Sequence, residues 1–247
     1  DRPLGELVVG CDTVTPRVPG HEAILAADRI LHWFLQNDDL GAEHRDRVSQ
    51  LPLGLDYHKL EPAGDNTSSD MGLPSRAGNQ QLTQRAIRDT NPPRRERPAR
   101  VYANFHLNMD SFLRSQEALK RRQARQEAWD VLRDADFMDF ERHQTPRNEV
   151  WRRHVDVAFE ASPHGNGLDC HRTWEALLLK TVPIVKTSVL DSLYDGLPVV
   201  IVEDWREVTT EALEAWREEY AEAFDGPIPE VLFSNHWIER FNAWKSQ

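Results

Sequence analysis

The chain has 247 residues, 39% of them hydrophobic and 29% charged, the balance of a globular protein large enough to bury a core in one large domain or two small ones. A formal net charge of -11 argues against general affinity for nucleic acid or anionic membrane and leaves only a local basic patch to bind either. The two cysteines, Cys11 and Cys170, build no disulfide framework, and no run approaches the roughly 18 apolar residues of a membrane span. No transmembrane segment is therefore expected. A cytoplasmic location is expected, or one reached through a targeting or anchor segment removed ahead of Asp1.

Residues 6 to 11, ELVVGC, read as a buried strand, which places Asp12 at a strand's carboxyl end. His21 to Asn37 carries Ile24, Leu25, Ile30, Leu31 and Phe34 and is expected to be an amphipathic helix. LPLGLDYH, at 51 to 58, reads as a short strand running into a loop. Residues 61 to 100 hold Pro62, Pro74, Pro92, Pro93 and Pro98 among polar and charged residues, so a mobile loop or linker is expected. VYANFHLN, at 101 to 108, restores strand character, and its Asn104 stands where a loop leaves that strand. A long polar helix is expected from Asp110 to about Arg133, locally basic through Lys120, Arg121, Arg122 and Arg125. Such a run is usually a solvated face, and its functional alternative is a patch for an anionic acceptor. PVVIV, at 198 to 202, reads as a buried strand, Thr209 as the cap of an acidic helix running to Phe224, and IPEVLFSNHWIERFNAWK as an amphipathic closing helix.

Residues 155 to 186, VDVAFEASPHGNGLDCHRTWEALLLKTVPIVK, form the unit that speaks about function. Their pattern is strand, glycine-bearing loop, helix and strand, which implies a parallel pair with a crossover helix. Trp174, Leu177, Leu178 and Thr181 share one helical stripe, and Arg172 and Glu175 fall on the opposite side. Asp169 is the expected N-cap, so PHGNG lies at a helix N-terminus beside a strand's carboxyl end. Gly165 and Gly167 let backbone N–H groups approach an anion, with His164 and Asn166 between and before them. Arg172 then grips a diphosphate bidentately, and Glu175 accepts hydrogen bonds from ribose hydroxyls. On spacing alone, a plain α/β turn with a surface Arg172–Glu175 pair fits equally well.

SPHGNGLDCHRTWEALLLKTVPIVK followed by LDSLYDGLPVVIVEDWREVT resembles the donor-binding half of exostosin-like glycosyltransferases of the GT-B fold, over roughly residues 100 to 210. The family carries a Ser-Pro-(Arg)-Gly-(Asn/Asp)-Gly loop, a following Arg, a helix Glu and an Ile-Pro-Ile-Val strand. His164 departs from that pattern, standing where relatives often have Arg. The resemblance implies two Rossmann-like lobes with parallel sheets, the first reduced: residues 1–95 on the acceptor side and 96–247 binding the donor. It further implies a nucleotide-sugar donor, expected to be UDP-linked, and a glycan or glycoconjugate acceptor. Asn104, His164, Gly165, Asn166, Gly167, Asp169, Arg172, Glu175 and Lys186 would face the donor. Arg172 would stabilise charge on the leaving diphosphate, and Asp12 is the candidate base if the reaction inverts.

No cofactor and no metal are expected. Asp134-Ala135-Asp136 has the DxD pattern that holds a divalent cation in other transferases, but no apolar strand precedes it. His164, Cys170 and His171 lack zinc-ligand spacing, and no GxSxG elbow or GxxxxGK[ST] loop is present. Two alternatives stay open: a DNA glycosyltransferase acting on hydroxymethylated bases, and a non-catalytic nucleotide-sugar-binding module.

Overall fold

The computed structural model describes residues 4–9, 19–57, 77–93, 96–107, 116–141, 145–165 and 167–245. It is an α/β protein with two parallel sheets. The first holds β1 (Leu4–Val9), β2 (Ile30–Gln36) and β3 (Val48–Leu51), in that order, all parallel. A short helix, α1 (His21–Leu25), connects β1 to β2.

The helix expected over 21 to 37 is therefore one turn of helix followed by a strand. ILHWFLQ is mostly apolar and aromatic, and from His32 to Leu35 its side chains are buried on both faces, as in a parallel strand packed from both sides. Trp33 and Leu35 join a core with Leu40 and Val48, against Ile24 and Leu25 of α1. Phe34 turns to the other face and meets Phe241 with ring centroids 4.6 Å apart. The strand expected at 51 to 58 starts earlier and ends at Leu51, and residues 52–57 form a loop.

Residues 61–76 and 94–95 of the expected linker lie outside the described residues, but the linker also contains a fourteen-residue helix, α2 (Ala77–Thr90). It packs against α4 (Arg147–Arg153), where Ile87, Trp151 and Leu179 make a small core of their own.

The second sheet comprises β4 (Val101–Ala103), β5 (Met138–Phe140), β6 (Phe159–Ala161), β7 (Val182–Lys186) and β8 (Val200–Val202). All its pairs are parallel and the order is β5-β4-β6-β7-β8. Helix α3 (Gln116–Leu132) links β4 to β5, α4 links β5 to β6, and α5 (His171–Leu178) links β6 to β7. This is the doubly wound 2-1-3-4-5 pattern. The chain leaves β4 in one direction and β6 in the other, opening a crevice at their carboxyl ends where ligands bind in such sheets.

Helix α6 (Thr210–Glu219) begins at the expected cap, with the Thr209 hydroxyl accepting from Ala212 N at 3.2 Å, and ends earlier than expected. Helix α7 (Ser234–Lys245) returns to the first sheet and packs on β1. No helix among the described residues is long and apolar enough to cross a membrane.

Candidate functional site

The carboxyl ends of the two sheets face one another. Loop 52–57, leaving β3, lies against the start of α5, where Nδ1 of His171 meets the Gly54 carbonyl at 2.7 Å. Asn37 leaves β2 in the left-handed region (φ 52) and its Oδ1 accepts from Asp169 N at 2.9 Å. A cavity of about 720 Å³ opens beside this joint, walled by Asp56 of the first lobe, Asn104 and His106 after β4, Thr145, Pro146, Arg147 and Val150 around the start of α4, and His171, Arg172 and Glu175 of α5.

Arg172 projects from the first turn of α5 across the crevice between β4 and β6. Its Nε donates to Asn104 Oδ1 at 3.0 Å, and its Nη1 reaches Ser162 Oγ at 3.5 Å and the Pro163 carbonyl at 3.4 Å. The side chain that the sequence pointed away from the core is thus anchored on both switch-point loops. Arg125 of α3 lies behind it, donating to the His106 carbonyl at 3.0 Å and the His164 carbonyl at 3.4 Å. Burial, with Arg172 close by, pushes the Arg125 pKa down to about 10, so it stays charged at neutral pH. His106 is held below its usual value by burial and by the same two arginines. Arg172, with Arg125 behind it, makes this end of the cavity cationic.

The opposite end is bipolar. Glu175 is nearly buried and accepts from Arg147 Nη2 and, at 3.1 Å, from the Trp151 indole. Arg147 also donates to Asp56 at 2.7 Å, which ties α4 and α5 to loop 52–57. The surface pair between Arg172 and Glu175 that spacing alone equally allowed does not form. Helix α5 is buried from Thr173 to Leu178 on all sides, so Glu175 pairs with α4 instead.

The glycine loop serves the joint. Gly165 N donates to Gly167 O at 3.0 Å, and a Cβ on Gly167 would stand 2.4 Å from the Asn37 side chain. Cys170 rather than Asp169 is the N-cap of α5. Asp169 is fully buried and accepts from Leu53 N at 2.6 Å, Cys170 N at 2.8 Å and Trp174 Nε1 at 2.8 Å. Asp12 and Asn166 lie outside the described residues. His164 points to the Lys186 carbonyl at 3.3 Å, and Lys186 itself pairs with Glu127 of α3 at 2.8 Å, in a different depression from the cavity. Asp134 to Asp136 occupy the turn between α3 and β5, at the amino end of the sheet.

No protein-family model matches the chain, and no curated protein matches it.

Of the residues selected from sequence, the fold therefore gathers Asn104, Arg172 and Glu175 at one cavity and uses Gly167 and Asp169 to join the sheets, while Gly165 packs against Cys170 and Arg125. Asp56, Arg147 and His171 line the cavity without having been selected. Arg125, read as part of a solvated basic face, is turned inward. Its one legible signal is its place on the helix that follows the first strand of a doubly wound unit, beside the switch point.

Proposed function

We propose that the protein is a glycosyltransferase of GT-B-like architecture, related to the exostosin-like enzymes, that takes a nucleoside diphosphate sugar in the crevice beside Arg172. The observation that carries this reading is the position of Arg172, anchored by Asn104 at the switch point of a doubly wound sheet with a second arginine behind it. The diphosphate lies at the Arg172 end. The nucleoside extends toward α4, where Glu175 has lone pairs beyond those given to Arg147 and Trp151 for the ribose hydroxyls. The acceptor oxygen attacks the anomeric carbon, the carbon–oxygen bond to phosphate breaks, and the departing diphosphate keeps the electron pair. Arg172 stabilises that charge, and the hydroxyl proton passes to a carboxylate or to solvent.

A panel of nucleoside diphosphate sugars in a thermal-shift assay tests this. A donor at 100 times its Kd adds about 2.7 kcal/mol, a rise in Tm of about 5 to 10 °C for a chain of this size. Arg172→Ala is expected to abolish both the shift and turnover while the protein stays folded. A panel without any shift, or a variant that works normally, refutes the reading. A shift without transfer or donor hydrolysis identifies a binding module.

A further inference from the structure

Beneath the crevice floor lies a carboxylate to which the nucleotide reading gives no task. Glu160 is the middle residue of β6, in register with Tyr102 of β4, and is fully buried. Its Oε2 meets Nε2 of His154 at 2.7 Å. Its Oε1 has no hydrogen-bond partner among the described residues and lies 3.9 Å from Nε of Arg172. A buried carboxylate oxygen left unbonded is strongly unfavourable unless a nearby charge compensates it, and Arg172 is the cation that faces this one.

His154 completes the arrangement. Its Nδ1 faces the Val150 carbonyl at 3.1 Å and its Nε2 faces Glu160, so both nitrogens meet acceptors and the ring suits the imidazolium form. Burial opposes that charge, but Glu160 and the carbonyl hold the His154 pKa above its usual value. With the Glu160 charge matched by His154, Arg172 keeps its own charge for a ligand. Arg172 Nη2 makes no hydrogen bond among the described residues.

We propose that Glu160, braced by His154, is a positioning residue that fixes Arg172 with its outer N–H groups aimed into the crevice. The guanidinium then meets an anion without first losing rotational freedom. The proposal rests on reading the crevice as a diphosphate site.

Electrostatics alone predicts the opposite effect of a Glu160 substitution, because removing a negative charge near an anion site tightens anion binding. Inorganic pyrophosphate and UDP are titrated by calorimetry into wild type, Glu160→Gln and Glu160→Asp, with circular dichroism as the check on folding. Positioning predicts at least tenfold weaker binding of both probes to Glu160→Gln and partial recovery in Glu160→Asp. Unchanged or tighter binding to a folded Glu160→Gln overturns it. Should that variant not fold, nitrogen-15 arginine NMR of the ligand-free wild type decides, with the Arg172 Nε–H signal assigned by its loss in Arg172→Lys. A single, slowly exchanging signal supports the proposal, and a rapidly exchanging, averaged one overturns it. A pinned Arg172 in a protein that binds neither probe defeats the diphosphate reading alone, whereas a mobile Arg172 in a protein that binds both defeats the positioning alone.

Discussion

The Asp169→Asn variant, compared with the wild type across pH, tests the joint between the two sheets. The Asp169 carboxylate is fully buried and takes N–H donors from Leu53, Cys170 and Trp174. Burial pushes its pKa up from 3.8 to about 6, against those donors, which favour the charged form. Because the folded value lies above the unfolded one, the folded protein keeps a proton over a range where the unfolded chain has released it. The stability from this group is full below the unfolded pKa of 3.8 and is lost as pH rises through about 6. That separation corresponds to about 3 kcal/mol. Asparagine does not titrate, so the difference in unfolding free energy between the two proteins isolates the group from all other carboxylates. Urea denaturation followed by tryptophan fluorescence is expected to show the wild-type advantage shrinking by about 2.4 kcal/mol between about pH 4 and about pH 7. An advantage that grows with pH would mean that the three donors outweigh burial, and the reasoning would fail.

Glu175→Gln is expected to lower stability by about 2 to 3 kcal/mol, since it removes one of the two carboxylate partners of a largely buried arginine. In chemical denaturation, a loss below about 1 kcal/mol would mark the pair as solvated decoration. Gly167→Ala puts a methyl group 2.4 Å from the Asn37 side chain and is expected to cost about 1 to 3 kcal/mol as the joint shifts. Adding Asn37→Ala should recover part of that loss, and purely additive effects would show that the two do not collide.

The unit from β6 to β7 was legible because it is continuous in sequence and its elements are mostly apolar, even though β6 buries Glu160 and α5 buries Glu175. Its parallel pairing appears as expected, with Phe159, Glu160 and Ala161 beside Val182, Pro183 and Ile184. Helix α2 escaped notice for a physical reason. Its buried positions are Gln80, Gln84, Ile87 and Arg88, a stripe at helical spacing made mostly of polar residues, so hydropathy carries no trace of it. Strand β2 was misread because Ile30, Leu31 and Phe34 satisfy helical spacing as well as a continuous buried strand, and only the covering of both faces separates the two. At the cavity, Arg172 and Asn104 could be singled out locally from a loop and a strand end. The bridge from Asp56 through Arg147 to Glu175 joins three distant segments, and no local pattern announces a partner so far along the chain.

The return of α7 to the first sheet bears on how the protein is made. Phe34 is synthesised long before Phe241, the ring that packs against it. During translation β1 to β3 emerge with α1 available on one face, while α7, which covers the other, is still unmade. The second sheet, whose strands β4 to β8 and helices α3 to α5 follow one another closely, has short loops to close and can condense first. The aromatic face of β2 lacks this cover until α7 leaves the ribosome, which leaves the nascent chain open to aggregation while the second sheet is being built.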